Sequence, residues 1–275
     1  VSAAVLPLPL VAGLAGLLGL LVGSFVNVVV HRVPAGLSVV RPRSACPACG
    51  HEVRERDNVP VVSWLLLRGR CRDCRVRIPL RYPAVEAGTA VLFAVVALAE
   101  TRPPVLLACL VVAGAGVALA LIDLDHGRLP FAVTGTAALL AGAALLAGWT
   151  TTWALQGPSA AAGQLVGPLV GVLAWGGVYA ALWAVTAGRG MGLGDVALAP
   201  LLGLVLGAVG VSAAVVGLAL GFALGAVGSL LLTGLGTVRR GQRIPFGPFM
   251  LAGAGLGLVA GEPLATGYLR LVGIA

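Results

Sequence analysis

Residues 105–122, VLLACLVVAGAGVALALI, carry no charge and run directly into Asp123. As a helix rising 1.5 Å per residue, such a run is about 27 Å long, close to the hydrocarbon thickness of a bilayer. The rest of the chain repeats this pattern. Of 275 residues, 59% are hydrophobic and only 10% charged, with a mean hydropathy of +1.03. A soluble domain carries about a quarter charged residues. Too little polar sequence exists here to cover a water-facing globule, so the bilayer must serve as solvent. The fold class this implies is all-α: a polytopic membrane protein with a small polar loop domain.

Working outward from 105–122, apolar runs at 5–30, 83–99, 131–149, 164–187 and from Met250 onward predict further spans. The stretch 196–234 is long enough for a hairpin of two short helices, turning near 207–210. That gives about eight transmembrane helices. The run 5–30 lacks a basic start and exceeds a signal-peptide core, so it is expected to be a first membrane helix and not a removable leader. All 18 basic residues are arginine, and most fall in the polar segment 31–81. Arginine-rich loops stay in the cytoplasm. This topological reading of the net charge of +8 is preferred to nucleic-acid binding, and no nucleic-acid partner is expected. It places 31–81 inside together with Arg239, Arg240 and Arg243, and both ends of the chain outside. The expected organisation is a first transmembrane helix at 1–30, a cytoplasmic loop domain at 31–82 and a membrane domain at 83–275.

The loop holds Cys46-Pro47-Ala48-Cys49 and Cys71-Arg72-Asp73-Cys74. Two C-x-x-C pairs at this separation resemble a two-knuckle zinc site, slightly long. Four thiolates at tetrahedral geometry complete the zinc shell and leave no open position, which predicts a structural metal. Disulfides are the competing pairing, and a reducing cytoplasm disfavours them. Cys109, inside an apolar run, reads as a buried small side chain. Glycines recur every fourth residue at 217, 221 and 225 and at 253, 257 and 261, a spacing that lets membrane helices approach closely.

Acids are scarce, 10 in all. Asp123, Asp125 and Asp195 fall at the ends of predicted spans. An acid at a membrane helix end either reaches interfacial water or works. Two such acids on one side favour work. Paired carboxylates can share one proton, the ionised member drawing a proton from a water that attacks a peptide carbonyl. Asp123 and Asp125 are two apart, so on a helix they point about 200° from each other. Only one of them can face Asp195. Alternating glycines at 188, 190, 192 and 194 precede Asp195. Without a preceding strand or G-x-G-x-x-G spacing they are a poor phosphate cradle. They are expected to allow unusual backbone beside a substrate, with Gly192 and Gly194 positioning it.

Several segments, in order, resemble the type IV prepilin peptidases. Gly23-Ser24-Phe25-Val26-Asn27 through His31-Arg32-Val33-Pro34 is similar to the family's opening motif. Asp57-Asn58-Val59-Pro60, Ser63-Trp64 and Gly69-Arg70-Cys71 resemble its cytoplasmic loop, and Arg81-Tyr82-Pro83-Ala84-Val85-Glu86 its next helix. Ile122-Asp123-Leu124-Asp125-His126 with Leu129-Pro130 resembles the first catalytic motif, and Gly192-Leu193-Gly194-Asp195 the G-x-G-D motif of membrane aspartyl proteases. Ile244-Pro245-Phe246-Gly247-Pro248-Phe249 is similar to the segment before the last helix.

The family pattern sets the first catalytic aspartate seven residues before the proline, which selects Asp123 with Asp195. The resemblance implies removal of the basic leader from prepilins or pseudopilins at the cytoplasmic face of a bacterial inner membrane. It also implies N-methylation of the new N-terminus from S-adenosylmethionine, the activity associated with the zinc-bearing loop. Asn27, Arg32 and Glu86 are candidates for that second activity, and interfacial hydrogen bonding explains them equally well. Where many members carry an acid after the proline, this chain has Phe131, outside the aspartate pair. A basic leader meeting a basic face is expected to use Glu52, Glu55, Asp57, Glu86 and Asp125, or lipid. The alternatives are a peptidase without methyltransferase activity, a transporter using Asp123 and Asp195 as ion sites, and a non-enzymatic scaffold.

Overall fold

A computed structural model describes residues 6–236 and 244–273; Val1 and the basic residues Arg239, Arg240 and Arg243 lie outside them. Among the described residues there is no strand. The helices are α1 (Leu8–Arg32), α2 (Val62–Leu66), α3 (Arg81–Ala99), α4 (Pro103–His126), α5 (Phe131–Gln156), α6 (Pro158–Val185), α7 (Leu193–Val209), α8 (Val211–Gly234) and α9 (Gly247–Leu271). All but α2 and α7 are long and apolar enough to cross a membrane, seven spans among the described residues. The chain is a multi-pass membrane protein.

The expected hairpin at 196–234 is present. Its break is Gly210, whose N–H bonds the Leu206 carbonyl at 2.9 Å. The first arm, α7, has 17 residues, about 25 Å of helix and short of a full crossing. An even span count, and with it both chain ends on one side, therefore rests on α7 crossing. Punctuation elsewhere is local and chemical. Proline stands at the start of α1, α4 and α6, where its missing N–H is no loss. Gly127, at φ +62°, closes α4, the left-handed conformation that ends many helices.

The chain divides into two compact units, Val1–Leu98 and Ala99–Ala275. In the first, α1 and α3 meet backbone to backbone. A Cβ on Gly19 would stand 2.7 Å from the Ala90 Cα, and one on Gly23 would stand 2.7 Å from the Glu86 Cα. In the second unit, α8 and α9 meet along the glycines singled out by spacing. A Cβ on Gly257 would fall 2.6 Å from the Gly217 Cα, and one on Gly261 equally close to the Ala213 Cα. A further seam joins α6 to α7, where Gly171 faces the Gly203 carbonyl and Gly167 the Gly207 carbonyl. In lipid, where apolar surface gains nothing by leaving the solvent, such close packing is what holds helices together. At the far end of α7, the Arg102 guanidinium pairs with the buried Glu100 at 2.6 Å and donates to the Val209 carbonyl at 3.0 Å.

Candidate functional site

Two clusters carry chemistry, one in each unit. In the first unit the four loop cysteines converge. Each C-x-x-C pair sits in a tight turn closed by an isolated backbone bridge, Ala45 with Glu52 and Arg70 with Arg77. Cys46 N–H donates to the His51 carbonyl at 2.9 Å, and Cys71 N–H to the Val76 carbonyl at 2.9 Å. The residue after each second cysteine, Gly50 or Arg75, has positive φ. The two turns are thus copies of one another, with glycine in the strained position of one and arginine in the other.

The four sulfurs all lie within 4.8 Å of one another, and Cys46 and Cys74 are 3.8 Å apart. Sulfurs at tetrahedral zinc distance are about 3.8 Å apart, so the donor set fits a metal ion of that kind. Backbone N–H groups of Cys49 and Ala48 hold the Cys46 thiol down at about 7. The His51 N–H favours the Cys49 thiolate, but desolvation and the sulfurs of Cys74, Cys46 and Cys71 push it up to about 12. One thiolate, at Cys46, forms readily and crowding resists those of Cys49 and Cys74, a conflict that a bound cation relieves.

The loop around the cysteines is tied by its own polar residues. Arg72 holds Asp57 through two bonds, 2.7 Å and 2.6 Å. Arg54 pairs with Asp73 and Arg43 with Glu55. Trp64 donates to the Ile78 carbonyl at 3.1 Å and packs against Gly69, where a Cβ would strike its ring at 2.8 Å. Glu86 accepts the N–H of Val61 at 2.7 Å. Val61 has φ +61° and sits at the centre of a γ-turn closed from Val62 to Pro60 at 2.6 Å, a strained geometry that the carboxylate holds in place. Asn27 donates to the Tyr82 carbonyl and Arg32 to the Ser38 carbonyl. Asn27, Arg32 and Glu86 are therefore each engaged in holding the loop and helix ends. Of the acids expected to meet a basic leader, Glu55, Asp57, Glu86 and Asp125 are already engaged within the fold.

In the second unit Asp123 occupies the last turn of α4 and is 5% exposed, while Asp125 two residues on is exposed. The Asp123 Oδ2 accepts the N–H of Gly247, the first residue of α9, at 3.0 Å. After Gly127 the chain turns back to Pro130, which immediately precedes α5. Leu129 in that turn is a buried wedge. A Cβ on Gly194 would meet the Leu129 Cβ at 2.8 Å, and one on Gly247 would meet its Cδ2 at 3.1 Å and the Asp123 Oδ2 at 2.8 Å. The end of α4 and the starts of α7 and α9 converge on this leucine.

Asp195 is not at the end of a loop, as the span boundaries suggested, but the third residue of α7. Its Oδ2 reaches back to the N–H of Gly192 at 3.1 Å. A carboxylate at this position satisfies an amide that the helix start leaves unpaired, so the helix begins before the acid. Asp195 is buried and within electrostatic range of Asp123. Of the four alternating glycines, only Gly188 takes a left-handed conformation, φ +72°. Gly192 is extended at φ −81°, and Gly194 is small because Leu129 fills the space a side chain would need. Sequence reasoning missed the Gly247 amide and the Leu129 wedge. Both lie inside quoted motifs, but neither residue carries a titratable group to draw the eye.

A family model described as the bacterial peptidase A24 N-terminal domain matches residues 17–99. A prepilin leader peptidase/N-methyltransferase of Myxococcus xanthus is 43% identical over 195 residues, 71% of this chain and 56% of that protein's length. One from Aeromonas salmonicida is 33% identical over 281 residues, 93% of each chain. One from Burkholderia pseudomallei is 36% identical over 304 residues, 98% of this chain and 91% of that protein. No solved structure matches. The Aeromonas and Burkholderia matches, at 33% and 36% identity along more than nine-tenths of both partners, show that the chain belongs to the prepilin leader peptidase/N-methyltransferase family.

Proposed function

We propose that this chain is an aspartyl endopeptidase of a bacterial inner membrane that removes the leader from type IV prepilins or pseudopilins at the cytoplasmic face. It also N-methylates the new N-terminus from S-adenosylmethionine. The observation that carries the first activity is the pair Asp123 and Asp195, buried in one membrane unit at the ends of α4 and α7, each fixed by a backbone amide. The names of the relatives support the second.

In this mechanism the two carboxylates hold one proton between them. The ionised member takes a proton from water, and the resulting hydroxide adds to the scissile carbonyl. The protonated member gives its proton to the carbonyl oxygen and, as the tetrahedral intermediate collapses, a proton passes to the leaving amine. Gly192 keeps a side chain away from the Asp195 carboxylate, and Gly194 lets Leu129 seat against the α7 start, so that an extended peptide can lie beside Asp195. The first span, α1, leads into the loop domain, which ends at residue 82, and the peptidase membrane domain begins at 83. Cys46, Cys49, Cys71 and Cys74 hold a structural zinc ion, which organises the loop and takes no part in cleavage. Membrane lipid presents the substrate helix.

The test is cleavage of a type IV prepilin in detergent by wild type, Asp123→Asn, Asp195→Asn and Asp125→Asn, with product masses read directly. Cleavage lost in the first two variants by a factor of at least about 10³, and kept in Asp125→Asn, is the expected result. A mature fragment heavier by one CH₂ when S-adenosylmethionine is supplied establishes methylation. An unmodified fragment leaves a peptidase alone.

A further inference from the structure

The α6–α7 seam fixes a register. Gly167 faces Gly207 and Gly171 faces Gly203, so the helices run antiparallel and each step of four on one matches a step of four on the other. The next pair in that register is Trp175 with Ala199, both fully buried; the Trp175 Cβ stands 3.0 Å from where a Gly203 Cβ would be. The pair after that is Tyr179 with Asp195.

Tyr179 is fully buried. Its ring stacks on Phe222 at 5.2 Å and meets Phe246 at 6.1 Å. Phe246 precedes Gly247, whose amide holds Asp123. The Tyr179 hydroxyl is the one buried side-chain oxygen or nitrogen among the described residues without a hydrogen-bond partner. It lies 4.0 Å from the β-position of Gly221 and within electrostatic range of Asp195. A buried hydroxyl without a partner carries a desolvation penalty. Phenylalanine would make the same ring contacts without it. An unsatisfied group in a packed interior calls for a specific explanation, and functional sites are where such exceptions concentrate.

We propose that Tyr179 is a positioning residue of the aspartate site, its hydroxyl donating to Asp195 when the site closes on a substrate peptide and turning that carboxylate toward the attacking water. This rests on the aspartyl reading of Asp123 and Asp195. In the resting arrangement the Asp195 Oδ2 is held by the Gly192 amide, which leaves Oδ1 to be fixed. The α6–α7 register brings a donor from α6 beside it, one step past Trp175 and Ala199.

The test is Tyr179→Phe, assayed on a type IV prepilin carrying its leader, with thermal unfolding measured on the same preparation. Loss of a hydrogen bond to a charged group predicts that kcat falls about tenfold with KM changed by less than about twofold. The melting temperature should stay level or rise, because the unpaired hydroxyl is gone. Trp175→Phe is the control, one turn along the same face. Its indole N–H is already satisfied by the Ala214 carbonyl at 2.9 Å, so its loss should lower the melting temperature and leave kcat per folded molecule unchanged. A wild-type kcat in Tyr179→Phe, or a loss that follows its melting temperature, overturns the proposal. Cleavage surviving in Asp123→Asn and Asp195→Asn would instead overturn the aspartyl reading beneath it.

Discussion

Asp57 shows how one side chain organises the polar loop. Its carboxylate is gripped by both ends of the Arg72 guanidinium, and that hydrogen-bonded pairing holds its pKa below the usual carboxylate value of 3.8. The folded form therefore binds the proton less readily than the unfolded chain does. The pair's contribution to loop stability is complete above the ordinary carboxylate range and is lost as pH falls through the lower, folded value. Hydrogen exchange of the loop amides, followed from pH 6 downward to about 3, should show protection falling at the acid end in the wild type. Asp57→Asn should be less protected at pH 6 and show a smaller fall toward acid, the remainder being loss of the thiolate site. Equal protection in both proteins at every pH would mean that the pair is decorative. Residue-level legibility was uneven in the same way. Cys46, Cys49, Cys71 and Cys74 were legible because the metal's geometry is written in their spacing. Tyr179 was not, because an aromatic inside an apolar run carries no mark of its own, and only the register of two helices places it opposite Asp195.

Helix contacts give a sharper test of what glycine does. Gly171 and Gly177 lie on the same helix, α6. The first faces the Gly203 backbone and the second faces open space, with nothing within 4 Å of a Cβ added there. Gly171→Ala should force α6 from α7 and destabilise the protein by about 1–3 kcal/mol or more, the usual result of overpacking. Gly177→Ala should be neutral or gain a few tenths from helix propensity. Thermal unfolding of the two variants in one detergent decides it, since the substitution is the same and only the neighbour differs. The helices themselves were readable from hydropathy, as was the break at Gly210, because apolar length and glycine punctuation are properties of a segment alone. The α6–α7 seam repeats the four-residue spacing at 167 and 171 and at 203 and 207. Its pairing escaped notice because spacing shows that a helix has a smooth face and not which helix will meet it.

At the scale of the whole molecule, the two compact units rely on different forces. The polar loop in the first has almost no apolar core and depends on its thiolates and ion pairs. The second is held by glycine seams and buried aromatics. Removing metal with a strong chelator, or replacing Cys46 and Cys74 with serine, should therefore unfold the loop and spare the membrane helices. Amide exchange over residues 44–78 should rise to that of free chain while α4 and α6–α9 stay protected. Loss of protection across both would show that the loop's metal supports the membrane unit as well. The division was only partly legible in the sequence. Polarity separates 31–81 from the apolar helices after it, but the pairing of α3 with α1 depends on Gly19 and Gly23 meeting Ala90 and Glu86, a contact between distant segments.

Both aspartates are anchored by the main chain, Asp123 by the Gly247 amide and Asp195 by the Gly192 amide. An alanine scan would leave both donors standing. It would register only the crowding that a methyl brings, against the Asp123 carboxylate and Leu129 at 247 and against the Asp195 carboxylate at 192. The genetic code has one residue that deletes a backbone N–H, so the anchors of this site are open to proline alone. A mutational map drawn from side-chain truncation would show two isolated acids and nothing that holds them.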